Sequence, residues 1–467
     1  GKGSRAPLGA LLLGTWEGKK LKYASHVGSG FNDTSLKQVQ ARLEPLHRKS
    51  CPFPDKPELN APAIWVEPSL VAEVKFQGWT DDGSLRAPVF LRLRDDIEAR
   101  SVRRSEPAPA SESDDLLLQL ARCKASGTIS IGPHAIKLSN LDRIYWPADP
   151  AFKQPALTKR DLLRYLAQVS SFMLPHLADR PLTMIRMPDG INGQRFYQKH
   201  WTQERPAFVE TITVFSGHKD ESHEYLLCNN LPTLLWLAQS GTLEFHVWHS
   251  RARVDADALS QATDFASSLA ALEESVLNYP DYVVFDIDPY IYSGEEKPGG
   301  EPELNTVAFE KGKEVAFRLR ELLNSMSLEP IVKTSGKTGL HVFLPIRRTI
   351  DFDAAREVSE RVGRHLMHLH RKDITLEWSV PKRTGKIFMD YNMNVRGKTL
   401  NVAYSPRGAA GAPVSMPLTW DELAKAHPLD FRLTNAAEFL ADSADRWRDA
   451  LARKQSLEQA LKRAKAE

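Results

Sequence analysis

Short apolar runs at residues 10–14 and 20–24, with Glu17 and Gly18 between them, predict two strands joined by a turn. Residues 35–46 repeat their apolar positions at helical spacing. Residues 70–76 read as a strand, Asp82-Gly83 as a turn, and residues 85–94 as a basic stretch with strand character. Residues 1–104 are therefore expected to be all-β with one helix, a small barrel of the OB-fold type. Residues 105–127 include a run rich in Ser, Pro, Ala and acids, which predicts a flexible linker. From 128 to 443 helical and strand patterns mix without regular alternation, the mark of an α+β domain. Within it residues 290–305, rich in Gly, Pro and Glu, are expected to form a long loop. The tail, 444–467, is expected to be a charged helix over 446–465 with a solvated face, and no internal repeat is visible.

Composition narrows the class. The chain has 467 residues, enough for two to four domains, with 42% hydrophobic and 26% charged residues, the balance of a soluble globular protein. No apolar run approaches the ~20 residues that span a bilayer, and no signal peptide is seen. Cys51, Cys123 and Cys228 are scattered, which argues against a disulfide framework or a structural zinc site and fits a reducing cytosol. The chain begins at Gly1 without an initiating Met and is expected to be a piece of something longer. Net charge is +3, unevenly placed: residues 1–104 hold 17 Lys and Arg against 12 acids, and the rest 45 against 47. Any nucleic acid must therefore be held in the larger part by local patches rather than by the overall field.

The chemistry concentrates on a few strands. The run Tyr282-Val283-Val284-Phe285-Asp286-Ile287-Asp288-Pro289 predicts a buried strand whose two acids point to one face. Carboxylates so close repel unless a cation lies between them. An acid-rich strand end is the alternative reading. Lys386-Ile387-Phe388-Met389-Asp390-Tyr391 places a third acid in an apolar run, costly unless it meets a metal or a basic partner. Three acids on two strands supply the ligands that a two-metal site needs. Ser335-Gly336-Lys337-Thr338-Gly339 is either a phosphate-cradling turn or an ordinary hairpin turn leading to His341. It is not a Walker loop: Ile331 stands at the required Gly, and a strand follows. Gly397-Lys398-Thr399 fails the same test, with Asn392 at the Gly position. His246 lies in a strand pattern typical of a core histidine, and His365, His368 and His370 lack a carboxylate partner at zinc spacing.

The order of these motifs resembles the archaeo-eukaryotic primase superfamily. More closely, residues 136–423 look like the polymerase domain of bacterial ATP-dependent DNA ligase D. The likeness includes Leu138-Ser139-Asn140-Leu141-Asp142-Arg143, Leu157-Thr158-Lys159, Arg195-Phe196-Tyr197-Gln198-Lys199-His200, Leu243-Glu244-Phe245-His246 and Ala403-Tyr404-Ser405-Pro406-Arg407. The resemblance implies a template-dependent polymerase that adds nucleotides to DNA 3′ ends at double-strand breaks in bacterial non-homologous end joining. It implies two divalent ions, Mn²⁺ or Mg²⁺, on Asp286, Asp288 and Asp390, and a preference for Mn²⁺ and for ribonucleotides. It places His246, Ser335, Gly336, Gly339, His341, Lys398 and Arg407 around the incoming NTP or dNTP. It assigns Asn140, Arg143 and Lys159 to a 5′-phosphate on the DNA end, Phe196 or Tyr197 to template bases, and Lys199 to DNA. Arg143 stands where some members have Lys, and Met393 where some have a polar or basic residue. Near Met393 one nucleotide contact is expected either to be missing or to be supplied by Arg396. Bacterial Ku is the implied partner, and the cytoplasm, at the nucleoid, the implied location. Residues 1–104 resemble the C-terminal OB domain of the ligase module, with Arg86, Arg92 and Arg94 on its basic strand. The ligase nucleotidyltransferase domain, with the lysine that accepts AMP, is not recognised in the 467 residues, so nick sealing is not expected of this chain. A non-catalytic DNA-end bridging module and a de novo primase are the rival readings.

Overall fold

The computed structural model describes residues 9–458 apart from 19, 32, 58–61, 77, 81–83, 87, 96, 104–111, 218, 257, 290–304, 384 and 442–444. For 33, 34, 75, 78, 79, 86, 112, 113, 380, 381 and 441 it describes the backbone alone. The chain divides into two compact units, residues 1–111 and 112–467.

In the first unit the predicted hairpin is present, Leu11–Glu17 against Lys20–Val27. Helix Asp33–Leu43 follows and gives way to a 3₁₀ turn at Glu44–Leu46, where Pro45 lacks the N–H that would continue it. Strand Val71–Lys75 pairs with the basic strand Val89–Arg94. Val27, Val39 and Phe90 form the small core, and the Phe31 and Phe90 rings stack at 4.3 Å. The strands of this unit pair only in twos among the described residues, so the expected barrel closure is not seen. The turn expected at Asp82-Gly83 lies outside the described residues.

The second unit opens inside the expected linker. Helix Glu112–Arg122 carries Leu116 and Leu120 one turn apart, and both are buried in the main core. This corrects the expectation of a flexible segment over 105–127: the Ser, Pro and Ala bias stops short of a leucine pair that buries apolar surface. Helix Lys159–Leu177 starts with a reciprocal cap, Thr158 bonding the Asp161 amide and Asp161 the Thr158 amide. Two sheets carry the rest. One runs in the order Phe196–Gln198, Leu182–Arg186, Thr242–Trp248, Thr399–Asn401. The other runs Ile374–Thr375, Ile387–Asp390, Tyr282–Asp288, Leu340–Pro345, Ile331–Thr334, Pro417–Leu418. All these pairings are antiparallel except Ile374–Thr375 with Ile387–Asp390, as suits an α+β domain. Helices Thr306–Ser325 and Phe352–Leu369 contact the central strand Tyr282–Asp288. The loop expected at 290–305 lies outside the described residues except for Asn305, which caps the helix after it.

The tail differs from expectation. Residues 446–452 form turns rather than the start of a solvated helix, Leu457 and Glu458 are helical, residues 459–467 lie outside the described residues, and Trp447, Ala450 and Leu457 are buried. Gln455 exchanges backbone bonds with Pro345 and Arg347, and Lys454 meets Asp255 at 2.6 Å. Charge counts along the tail conceal its few apolar anchors, which decide its course. Beneath the sheet, fully buried Asp281 is held by Arg180 at 2.8 Å and Arg251 at 3.0 Å. Arg348 spends its guanidinium on the carbonyls of Tyr279, Arg251, Arg253 and Val276. Among the described residues no helix is long and apolar enough to cross a membrane.

Candidate active site

Four neighbouring strands set the site by register. Asp286 stands opposite Asp390 on one side and His341 on the other, and His341 stands opposite Lys333. Cross-strand partners project from the same face, so Asp390, Asp286, His341 and Lys333 form a row, with Asp288 two residues along. Val283, Val284 and Ile287, almost wholly enclosed, anchor the central strand and fix this presentation.

The row is short of positive charge where the acids stand. Burial, then the neighbouring Asp288 and Asp390, push the Asp286 carboxyl well above its ordinary value. Burial also raises Asp288 and Asp390; Arg383 opposes this at Asp288, and the Asn392 amide and Lys398 oppose it at Asp390. Thr338 Oγ1 reaches Asp288 Oδ1 at 3.4 Å, and Asp390 Oδ1 accepts from the Asn392 amide at 2.9 Å. Their oxygens are not gathered on one point, and among the described residues no three His, Cys, Asp or Glu side chains form a ready cation cage. The donor chemistry nevertheless fits hard divalent ions, because three oxygen ligands share a face and repel one another without a cation.

His341 Nε2 lies 3.4 Å from Asp286 Oδ1, and its Nδ1 lies 2.8 Å from Lys333 Nζ. Lys333 is fully buried and also reaches Ser415 Oγ at 2.5 Å. Burial, then the charge of Arg407, drives the Lys333 ammonium well below its usual value. The Ser335–Gly339 turn joins two antiparallel strands, as the hairpin reading has it. Ser335 Oγ accepts from the amides of Lys337 at 3.1 Å and Gly339 at 3.0 Å, so these donors converge on one oxygen position. Gly336 has φ +75°, and a Cβ there would lie 2.7 Å from Arg407 Cγ. A Cβ at Gly339 would collide with the Ile287 carbonyl oxygen.

Glu244 gathers the cationic side. Its fully buried carboxylate meets His246 Nε2 at 3.0 Å, Arg407 Nε at 3.2 Å and the Gly408 amide at 3.0 Å. Burial alone would raise this carboxyl; Arg407, then the bond from His246, hold it well below its ordinary value instead. Arg407 Nη1 also donates to the Ser335 carbonyl at 3.1 Å, linking this cluster to the glycine turn. His246 is thus not a plain core histidine. Lys398 is exposed and acts on Asp390 through its charge. Met393 packs against the core, and Arg396 turns to Asn278 and Glu273 rather than replacing it. Sequence reasoning assigns no role to Glu244, Lys333 or Arg383. A buried-strand acid two residues before a histidine, and a lysine inside an apolar strand, are the signals that could have found the first two.

The residues expected at the DNA end are together in part. Asn140 is exposed with φ +53°, and its carbonyl accepts from the Arg143 amide at 3.1 Å. Arg143 pairs with Asp189. Lys159 is buried, with Nζ on the carbonyls of Gln239 at 2.8 Å and Ser139 at 3.2 Å; burial, then Arg143, lowers it to about 8. Phe196 and Tyr197 lie on the sheet's edge strand, 40% and 60% exposed, with Lys199 Nζ 5.9 Å from the Tyr197 ring. In the first unit Arg92 and Arg94 both pair with Glu73, at 2.8 and 3.2 Å, while the side chain of Arg86 is outside the described part of the chain.

The model of the LigD primase-polymerase domain family matches residues 158–447. The chain belongs to this family. Residues 4–97 match a second model, the C-terminal region of ATP-dependent DNA ligases. A multifunctional non-homologous end joining protein LigD from Pseudomonas aeruginosa is 31% identical over 471 residues, covering 99% of this chain and 50% of the relative. A bifunctional LigD from Bacillus subtilis is 27% identical, over 62% of this chain and 39% of its own length. The chain therefore spans half or less of the length of these two LigD relatives. Among solved structures, the polymerase domain of Mycobacterium tuberculosis ligase D in complex with DNA aligns at a TM-score of 0.56 and 26% identity, covering 68% of this chain and 99% of that one. The LigD resemblance read from the motifs is thereby established, and the fold of the second unit is that of the LigD polymerase domain.

Proposed function

We propose that this chain extends DNA 3′ ends by template-directed nucleotidyl transfer, filling gaps at double-strand breaks in bacterial end joining. The observation that carries the reading is the register of Asp390, Asp286 and His341 across three adjacent strands, with Asp288 beside them. Asp286, Asp288 and Asp390 would hold two divalent ions, Mn²⁺ or Mg²⁺. Bound there, the ions supply the charge that activates a 3′-hydroxyl and stabilises the departing pyrophosphate. Lys333 orients His341 through Nδ1, leaving Nε2 toward the acids. Glu244 holds Arg407 as a cation and His246 as a hydrogen-bonding ring for the triphosphate; burial lowers the His246 ring below its usual value. Ser335, Gly336 and Gly339 shape the turn beside them, and Lys398 adds an exposed charge. Asn140 and Arg143 would meet a 5′-phosphate, with Lys159 bracing the loop from below. Phe196, Tyr197 and Lys199 would stack on and attract the template strand. The first unit is read as a ligase-type OB domain whose Arg86, Arg92 and Arg94 face DNA, supported by the family match over 4–97. Ku and a cytoplasmic, nucleoid-associated location follow from the end-joining assignment.

Primer extension on a gapped duplex with a 5′-phosphate, in Mn²⁺ with each NTP and dNTP, tests this. Extension by the parent chain and its loss in Asp286→Ala are expected. DNA binding without extension would turn the assignment to an end-bridging module, and products made without a primer to a primase.

A further inference from the structure

Trp378 is a large aromatic that the site described above does not use. Its indole is 55% exposed. It is held from behind. Arg383 donates to the Trp378 carbonyl at 2.7 Å and the Glu377 carbonyl at 2.8 Å. The same guanidinium lies 5.7 Å from the Trp378 ring and 3.6 Å from that of Phe388, and the two rings meet edge-on at 5.7 Å. Phe388 is the register partner of Asp288, which ties this stack to the acidic row. The charge of Arg383 acts on both Asp288 and Asp390. The surrounding sequence, Trp378 followed by Lys382, Arg383 and Lys386, interleaves an aromatic with cations. Lys382 is exposed, paired with Glu377 at 3.6 Å.

We propose that Trp378 is a stacking platform for a nucleobase at the edge of the metal site. The inference rests on the polymerase reading for its place but not for its test. An exposed indole offers a flat face, and a base can stack on it whatever its identity. Arg383 and Phe388 hold the ring in one orientation, so little side-chain freedom is lost on stacking. Lys382 and Lys386 add attraction for the phosphates on either side of that base. The ligand class is therefore a nucleobase, carried either by the DNA strand or by the incoming nucleotide.

The test compares the parent chain with Trp378→Leu, which keeps apolar bulk without the π-face, and Trp378→Phe, which restores a ring. Fluorescence anisotropy measures affinity for a labelled gapped duplex without nucleotide, and primer extension gives the KM for NTP. For a strand base, DNA affinity falls about tenfold in Trp378→Leu and largely recovers in Trp378→Phe. For the incoming base, DNA affinity holds and the NTP KM rises about tenfold, again with recovery in Trp378→Phe. Unchanged DNA affinity and unchanged KM in a folded Trp378→Leu overturn the proposal, as does equal loss in the Leu and Phe variants. If the parent binds DNA but extends nothing, the polymerase reading fails; DNA anisotropy then decides a strand-base platform, and equilibrium binding of a fluorescent NTP to the parent and the Leu and Phe variants decides an incoming-base one.

Discussion

Asp286 stands beside two other acids, Asp390 across the sheet and Asp288 along its own enclosed strand, and its carboxyl is pushed well above its ordinary value by burial and by Asp288 and Asp390. Asp288 and Asp390 shift the same way. These groups hold protons more tightly in the folded chain than in the unfolded one. Their contribution to stability is therefore full below the ordinary carboxylate range and is lost as pH rises through the raised values. Near neutral pH the metal-free row is a strained cluster of like charge. Asp286→Asn should raise the metal-free Tm by about 1–3 °C at pH 7.5 and leave it nearly unchanged at pH 4. Mn²⁺ should raise the Tm of the parent and not of the variant; thermal melts across pH, with and without Mn²⁺, check both. A parent Tm indifferent to Mn²⁺ would count against the cation site. Glu244 is the opposite case, an acid kept ionised by Arg407 and His246. Glu244→Gln keeps the shape and removes the charge that aligns Arg407 and His246. The expected result is a rise of about tenfold in the NTP KM, near the ~1.4 kcal/mol of one charge-assisted bond, with DNA affinity unchanged. Loss of DNA affinity instead would move Glu244 to another role.

At the scale of elements, the glycine turn carries more than its sequence suggests. The Ser335–Gly339 segment closes a plain antiparallel hairpin, yet Gly336 is packed beneath Arg407 and the Ser415 amide with φ +75°. Gly336→Ala would strain the backbone by about 1–2 kcal/mol and displace the Arg407 stem. Primer extension should fall about tenfold or more while circular dichroism at room temperature stays native. Full activity would show that Arg407 tolerates displacement. The helix Glu112–Arg122 makes the same point about elements. Its four polar first residues look like linker, and only the burial of Leu116 and Leu120 reveals a packed helix.

For the whole molecule, two compact units carry two family matches, 4–97 and 158–447. The ligase-type unit resembles the part of a ligase that follows its adenylylated domain, and no acceptor lysine for AMP is recognised in the 467 residues. The chain alone is therefore expected to extend gapped DNA but to leave nicked DNA unjoined. A denaturing gel of nicked duplex incubated with this chain, ATP and Mn²⁺ should show no joined product, and a joined band would overturn that expectation.

Linear sequence determined the identity of the acids, their placement on strands and the order of motifs, because side-chain alternation and apolar runs are local properties. Asp286, Asp288 and Asp390 were legible for that reason, and so was the α+β class, whereas His341 entered only through the family resemblance. Tertiary structure decided what those residues face. Register across four strands put His341 between Asp286 and Lys333, because backbone pairing takes no account of separation along the chain. Only the fold turned Lys159 onto two carbonyls, gave His246 its Glu244 partner and left Trp378 at the edge of the acidic row. The first part of the tail, 446–452, departs from its expected helix on the same ground. Trp447, Ala450 and Leu457, buried among many charges, fix its path, and burial is a property of the packed chain rather than of its composition.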